Sequence, residues 1–186
     1  MAPMKCLVSW SSGKDSAWMV HVLRQRTDLA YIEAAPRAFL KPGTAQAETD
    51  RCYRAAVDAI RAGKDVVIVS ADSDEMVAGT REAGLSLGLS SRQISEAVAA
   101  ALGSLCRQIA LNAPLGGLVL TGGDIAMSCC SLLSAGGISV VREVAPGIPV
   151  GVLKGGQCPG LKVVTKAGAF GAEDALCRAV DSLKMF

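Results

Sequence analysis

Leu118-Val119-Leu120-Thr121-Gly122-Gly123-Asp124 is the stretch on which the reading of this chain turns. Its apolar, partly β-branched first half, with no polar interruption, reads as a strand buried on both faces. The paired glycines let the backbone turn closely, and the small-residue segment from about Ile125 to Ser134, closed by Gly136-Gly137, reads as a helix. Strand, glycine turn and helix make one unit of an α/β layer structure. The first N–H groups of a helix placed this way attract anions.

The same pattern recurs on both sides of this unit. Asp65 to Ser70 carries Val-Val-Ile-Val, the strongest strand signal in the chain, and Lys5 to Trp10 and Leu29 to Ala34 are further short apolar runs. Pro42-Gly43 marks a loop, and Cys52, Ala55, Ala56, Ala59 and Ile60 recur at helical spacing within Ala45 to Ala62, before Gly63 stops the pattern. Ser90 with Gln93 forms a capping-box pattern at the head of a helix reaching about Asn112. Met76 to Leu89 is ambiguous, because Gly79, Gly84 and Gly88 weaken any helix there. Ile138 to Val144, Val150 to Lys154 and Leu161 to Thr165 read as three strands in close succession, and Ala172 to Leu183 as a last helix. The alternation predicts an α/β three-layer sandwich with a mostly parallel central sheet, and the three crowded strands predict an antiparallel edge. No repeat, low-complexity tract or linker interrupts residues 1–186, so a single domain is expected.

Composition narrows the function. Of 186 residues 51% are hydrophobic and 19% charged, with a formal net charge of +2 and no run of Lys or Arg, which argues against a nucleic-acid partner. Aromatics, at 4%, are too sparse for base-stacking platforms. Seven cysteines and the single His21 show no metal-site spacing, so the cysteines read as small buried hydrophobes of a reducing cytoplasm. No signal-peptide pattern opens the chain and no apolar run approaches bilayer length, so a soluble, cytoplasmic protein with no membrane contact is expected.

Three strand-to-helix junctions are suited to phosphate. The first is Ser11-Ser12-Gly13-Lys14-Asp15-Ser16, which offers hydroxyls, a backbone nest and a point charge. The second is Gly122-Gly123-Asp124, where Asp124 suits a helix cap, a Mg2+ ion or a ribose hydroxyl better than a bare phosphate. The third runs Thr165-Lys166-Ala167-Gly168-Ala169-Phe170-Gly171, with Phe170 suited to flank an adenine or to pack in the core. Between the last two lies the rigid Pro146-Gly147 turn. Any one of these also reads as a plain capped turn; together they point to a nucleotide. No formal dinucleotide fingerprint or Walker A pattern is present.

Thr121 to Asp124, then Arg142-Glu-Val-Ala-Pro-Gly-Ile-Pro-Val-Gly-Val-Leu153, then Val164-Thr-Lys-Ala-Gly-Ala-Phe-Gly171, closely resemble in order and spacing the C-terminal half of the four-carbon acid sugar kinases, from about residue 5 onward. That family includes threonate and 3-oxo-tetronate kinases. The resemblance implies an α/β domain that binds ATP or ADP with Mg2+ for phosphoryl transfer to a sugar-acid hydroxyl. It implies a nucleotide site of Ser11, Ser12, Gly122, Gly123, Asp124, Gly147, Lys166, Ala167, Gly168 and Gly171. It also implies a separate sugar-binding domain or subunit, because family members carry one N-terminal to this domain. A departure is Trp10, standing where the family's opening loop has glycine.

A second, local resemblance covers Val8-Ser-Trp-Ser-Ser-Gly-Lys-Asp-Ser-Ala17, which is similar to the PP-loop of ATP pyrophosphatases. It implies an adenylating enzyme as the alternative, within the first 26 residues only. A non-catalytic nucleotide-binding module is the third reading.

Overall fold

The computed structural model describes residues 6–10, 19, 21–167 and 171–185, with the backbone alone for 6–10. Its strands are β1 (Cys6–Trp10), β2 (Leu29–Glu33), β3 (Asp65–Val69), β4 (Gly117–Thr121), β5 (Gly137–Ala145), β6 (Ile148–Lys154) and β7 (Lys162–Lys166). They form one seven-stranded sheet in the order β2-β3-β1-β4-β7-β6-β5. The pairs β2–β3, β3–β1, β1–β4 and β4–β7 are parallel, and β7–β6 and β6–β5 antiparallel. The sheet is therefore mostly parallel with an antiparallel edge, as the spacing of the closing strands predicts.

The helices are α1 (Pro42–Arg61), α2 (Asp74–Ser86), α3 (Ser91–Asn112), α4 (Gly123–Leu132) and α5 (Ala175–Met185), and residues 21–24 are also helical. Side chains of the central strands alternate between two cores. Val66, Ile68, Leu118, Leu120 and Val163 face a layer built from α1, α3 and α4. Val67, Val69, Val119 and Val164 face the opposite layer, which holds Met19, Leu23 and the apolar stripe of α5. Both faces of β3 and β4 are buried, which is why these strands read as continuous apolar runs rather than alternating ones. This is a three-layer α/β fold.

Local sequence accounts for most of the element ends. Ser90 accepts from Gln93 N while the Gln93 side chain accepts from Ser90 N, closing the capping box at the head of α3. Two stretches depart from their sequence reading. Pro42-Gly43 opens α1 instead of forming a loop, since proline at the first helical position gives up an N–H that would have no intrahelical acceptor anyway. The ambiguous glycine-rich segment is helix α2, capped by Ser73 accepting from Met76 N at 3.2 Å. Its glycines serve packing: a Cβ on Gly79 would run into the Arg37 guanidinium, and one on Gly84 into Ile94 of α3. The propensity penalty is offset by close approach.

Helix α3 has the length and apolarity to cross a membrane, which the run-length reading did not anticipate. Its Ile94, Leu102, Leu105, Cys106 and Ile109 are instead buried in the core of this fold. The described cysteines are free thiols. Burial pushes the Cys52 thiol up to about 11, and contact with Cys129 together with burial holds the Cys106 thiol above its ordinary value. Both are protonated at neutral pH, and Cys52 Sγ donates to Glu48 Oε1 at 3.6 Å.

Candidate functional site

Because β2, β3, β1, β4 and β7 run in parallel, their C-terminal ends share one edge of the sheet. The chain leaving β1 packs Met19 and Leu23 on one face, whereas the chain leaving β4 packs Ile125 and Cys129 on the other. β1 and β4 are neighbours, so the crevice beyond their ends is the topological switch point where open α/β sheets bind ligands.

At this edge β4 ends in Thr121, and Gly122 follows at φ 88° and ψ 129°, a conformation reserved for glycine. Gly122 N donates to the Lys166 carbonyl at 3.0 Å, tying the end of β4 to the end of β7. Helix α4 starts at the next residue with no side-chain cap. Its first N–H groups have no intrahelical acceptor, and they carry the positive end of the macrodipole. A Cβ added to Gly123 would meet none of the described residues within 4 Å. Among the described residues nothing demands a glycine at 123, and the position is exposed. The exposed Asp124 side chain sits in the same first turn.

On the β7 side, Lys166 is 2% exposed, with Nζ donating to the Ala167 carbonyl at 3.3 Å. Gly171 (φ 95°) closes over it: a Cβ there would meet Ala175 at 2.6 Å, Ile148 Cδ1 at 2.8 Å and Lys166 Cε at 3.9 Å. Ile148 immediately follows the Pro146-Gly147 turn, whose Gly147 has φ 75° and joins β5 to β6. The structure thus brings Gly122, Gly123, Asp124, Gly147, Lys166, Ala167 and Gly171 to one edge. Ser11, Ser12 and Gly168, and with them the whole Ser11–Ser16 loop of the PP-loop resemblance, lie outside the described residues.

Sequence reasoning missed a cavity of about 420 Å³ that opens beside Asp124 and Ile125. Ser70 and Ala71 after β3, Thr80 and Arg81 of α2, and Ser95 and Val98 of α3 wall it. The only sequence trace is the strand end Val69-Ser70-Ala71, whose neighbours in space come from helices far along the chain. Among the described residues no group of three or more His, Cys, Asp or Glu side chains is placed to hold a metal. A Mg2+ ion here would rest on Asp124, substrate phosphates and water, which is how that ion is commonly held.

A glycine-bounded helix head at the switch point of a mostly parallel sheet defines a nucleotide-binding α/β domain. The chain belongs to the family described as "Nucleotide-binding C-terminal domain", whose model matches residues 20–176. Among curated relatives, the D-threonate kinase of Bordetella bronchiseptica is 46% identical over 90 residues, covering 48% of this chain and 22% of that protein. The D-threonate kinase of Cupriavidus necator is 30% identical over 177 residues, covering 92% of this chain and 37% of the relative. The chain therefore spans well under half the length of these kinases. A crystal structure of a domain of unknown function from Bordetella bronchiseptica, a domain-swapped dimer with bound citrate, superposes with a TM-score of 0.78 at 27% identity, over 98% of this chain and 41% of that one. A Haemophilus influenzae structure at 15% identity, with a TM-score of 0.78 over 98% of this chain and 42% of that one, shares the fold. The family expected from the three motifs and the family that matches agree on a C-terminal nucleotide-binding domain.

Proposed function

We propose that this chain is the ATP- and ADP-binding domain of a cytoplasmic kinase that phosphorylates a hydroxyl of a small sugar acid. The observation that carries the reading is the uncapped head of α4, with an exposed glycine at 123 that no contact among the described residues demands, and Gly122 before it bonded to the Lys166 carbonyl at the switch point. The phosphates rest on the N–H groups of Gly123 and Asp124, with Lys166, Ala167 and Gly171 on the other side. Asp124 would hold Mg2+ together with the phosphates, and the ion would supply charge neutralisation for transfer. Residues 1–186 act as one domain, and a separate sugar-binding domain or subunit presents the acceptor.

Titration calorimetry with ADP and Mg2+ tests this directly. Binding of ADP and ATP, with Asp124→Asn weakening the Mg2+-dependent part alone, is the expected result. Absence of binding to either nucleotide, in a chain that melts cooperatively, overturns the reading.

A further inference from the structure

Helix α2 walls one side of the cavity beside Asp124, through Val77, Thr80 and Arg81. It packs on α3 and on the 3-10 turn at Pro36–Leu40. Among the described residues neither hydrophobic core contains a residue of this helix. Of its 13 positions only Thr80 and Gly84 are buried. Gly84 brings no side chain, and the Thr80 hydroxyl donates to the Met76 carbonyl of its own helix at 2.7 Å. The Ser86 hydroxyl likewise donates within the helix, to the Glu82 carbonyl. Among the described residues no hydrogen bond or ion pair runs from an α2 side chain to another element. Both flanks, by contrast, are anchored. Before the helix Asp72 Oδ2 accepts from Arg24 Nη2 at 2.6 Å, and after it the Ser90–Gln93 capping box opens α3. Between α2 and the second anchor stands Gly88, at φ 78°.

We infer that α2 is a gate: residues 73–89 open as one unit between the two anchors while the sandwich stays folded, and in the closed position they complete the cavity. Opening takes no residue out of either core, so it costs far less than unfolding the chain. The contact that holds the gate shut is the close approach at Gly84, where a Cβ would run into Ile94 of α3. Ile94 itself lines the cavity. A ligand seated there would touch α2 as well as α3, and it would lose the α2 contacts on opening, so it favours the closed state. That coupling rests on the nucleotide-binding reading above; the opening itself does not.

Hydrogen–deuterium exchange of the whole chain, read amide by amide by NMR, tests this. The amides of residues 78–86 are expected to exchange together, at least about tenfold faster than those of residues 102–109 in α3. Ile94→Ala removes the contact beneath Gly84 and keeps a good helix former in the first turn of α3. It is expected to speed the α2 amides by about tenfold or more while leaving residues 102–109 within about twofold. With Mg2+ and ADP at about 100 times the Kd, exchange in α2 is expected to slow by about 100-fold. Exchange of α2 at the rate of α3 in the unaltered chain overturns the inference. So does a parallel rise in both helices of the variant, since α2 would then unfold only with the core. If Ile94→Ala does not fold, the unaltered chain decides alone. ADP that binds yet leaves α2 exchange unchanged removes the gate and leaves the nucleotide reading standing. If ADP does not bind, the nucleotide reading falls, and the first two comparisons still decide whether α2 opens.

Discussion

Gly122 and Gly123 are adjacent, yet the structure assigns them different work, and alanine separates the two. Gly122 has φ 88° and ψ 129°, so a Cβ there costs about 1–3 kcal/mol of backbone strain. For a chain of this size that is a fall in Tm of roughly 2–4 °C for each kcal/mol. Gly123 is the first residue of α4, is not among the positive-φ glycines, and has no described residue within 4 Å of where a Cβ would go. Alanine there removes chain entropy from the unfolded state and is expected to leave stability unchanged or raise it by about 0.4–1 kcal/mol. In the proposed site the same methyl group would crowd the phosphate at the N–H groups. Loss of a charge-assisted hydrogen bond is worth about 1.5–3 kcal/mol, so ADP should bind roughly 10–100-fold more weakly. Scanning calorimetry and ADP titration on both variants read the two effects. Gly123→Ala with undiminished ADP affinity would refute the placement of the phosphates. Gly122→Ala as stable as the parent would refute the conformational argument.

Three further outcomes are expected. Lys166→Met, which keeps the length of a side chain that is 2% exposed, should retain a cooperative melt but weaken ADP by about 10–100-fold if the ammonium meets phosphate; equal affinity in titration would remove Lys166 from the site. Gly151→Ala should destabilise by about 1–3 kcal/mol in urea unfolding, because a Cβ on β6 would collide with the backbone carbonyl of Ser139 on β5, which cannot shift without breaking the antiparallel edge. The Arg26 guanidinium beside Asp28, with help from Lys184, holds that carboxyl below its ordinary range, although burial opposes the shift. A lowered folded-state pKa contributes stability that is present above the ordinary carboxylate range and lost as pH falls through and below it. Asp28→Asn should therefore lower Tm at pH 7 and flatten the acid limb of a Tm-against-pH curve; an unchanged acid limb would show that the cluster carries no pH dependence.

How much of this was legible beforehand depends on the range of the interaction concerned. Strands such as Asp65–Val69 and Gly117–Thr121 announce themselves because burial on both faces demands an unbroken apolar run, which needs no knowledge of the partner strands. The head of α3 was equally plain, since Ser90 and Gln93 bond within one turn. Helix α2 was obscured because the gain that outweighs its glycines lies in Arg37 and Ile94, which propensity does not count.

The candidate site divides along the same line. Sequence by itself determined that the chain is an α/β nucleotide-binding domain, because glycine turns after buried strands and the spacing of three motifs are local signals. Tertiary structure alone decided which of those turns meet. The parallel register of Thr121 with Lys166 and the hydrogen bond from Gly122 to the Lys166 carbonyl join residues more than forty positions apart in the chain. The cavity was wholly invisible in one dimension, since its lining includes Ala71, Ile94, Ala99 and Ile125, ordinary core residues until three elements place them around an opening. Local bonding is written in adjacent letters; shape arises only when distant segments are packed against one another, and a pocket is shape.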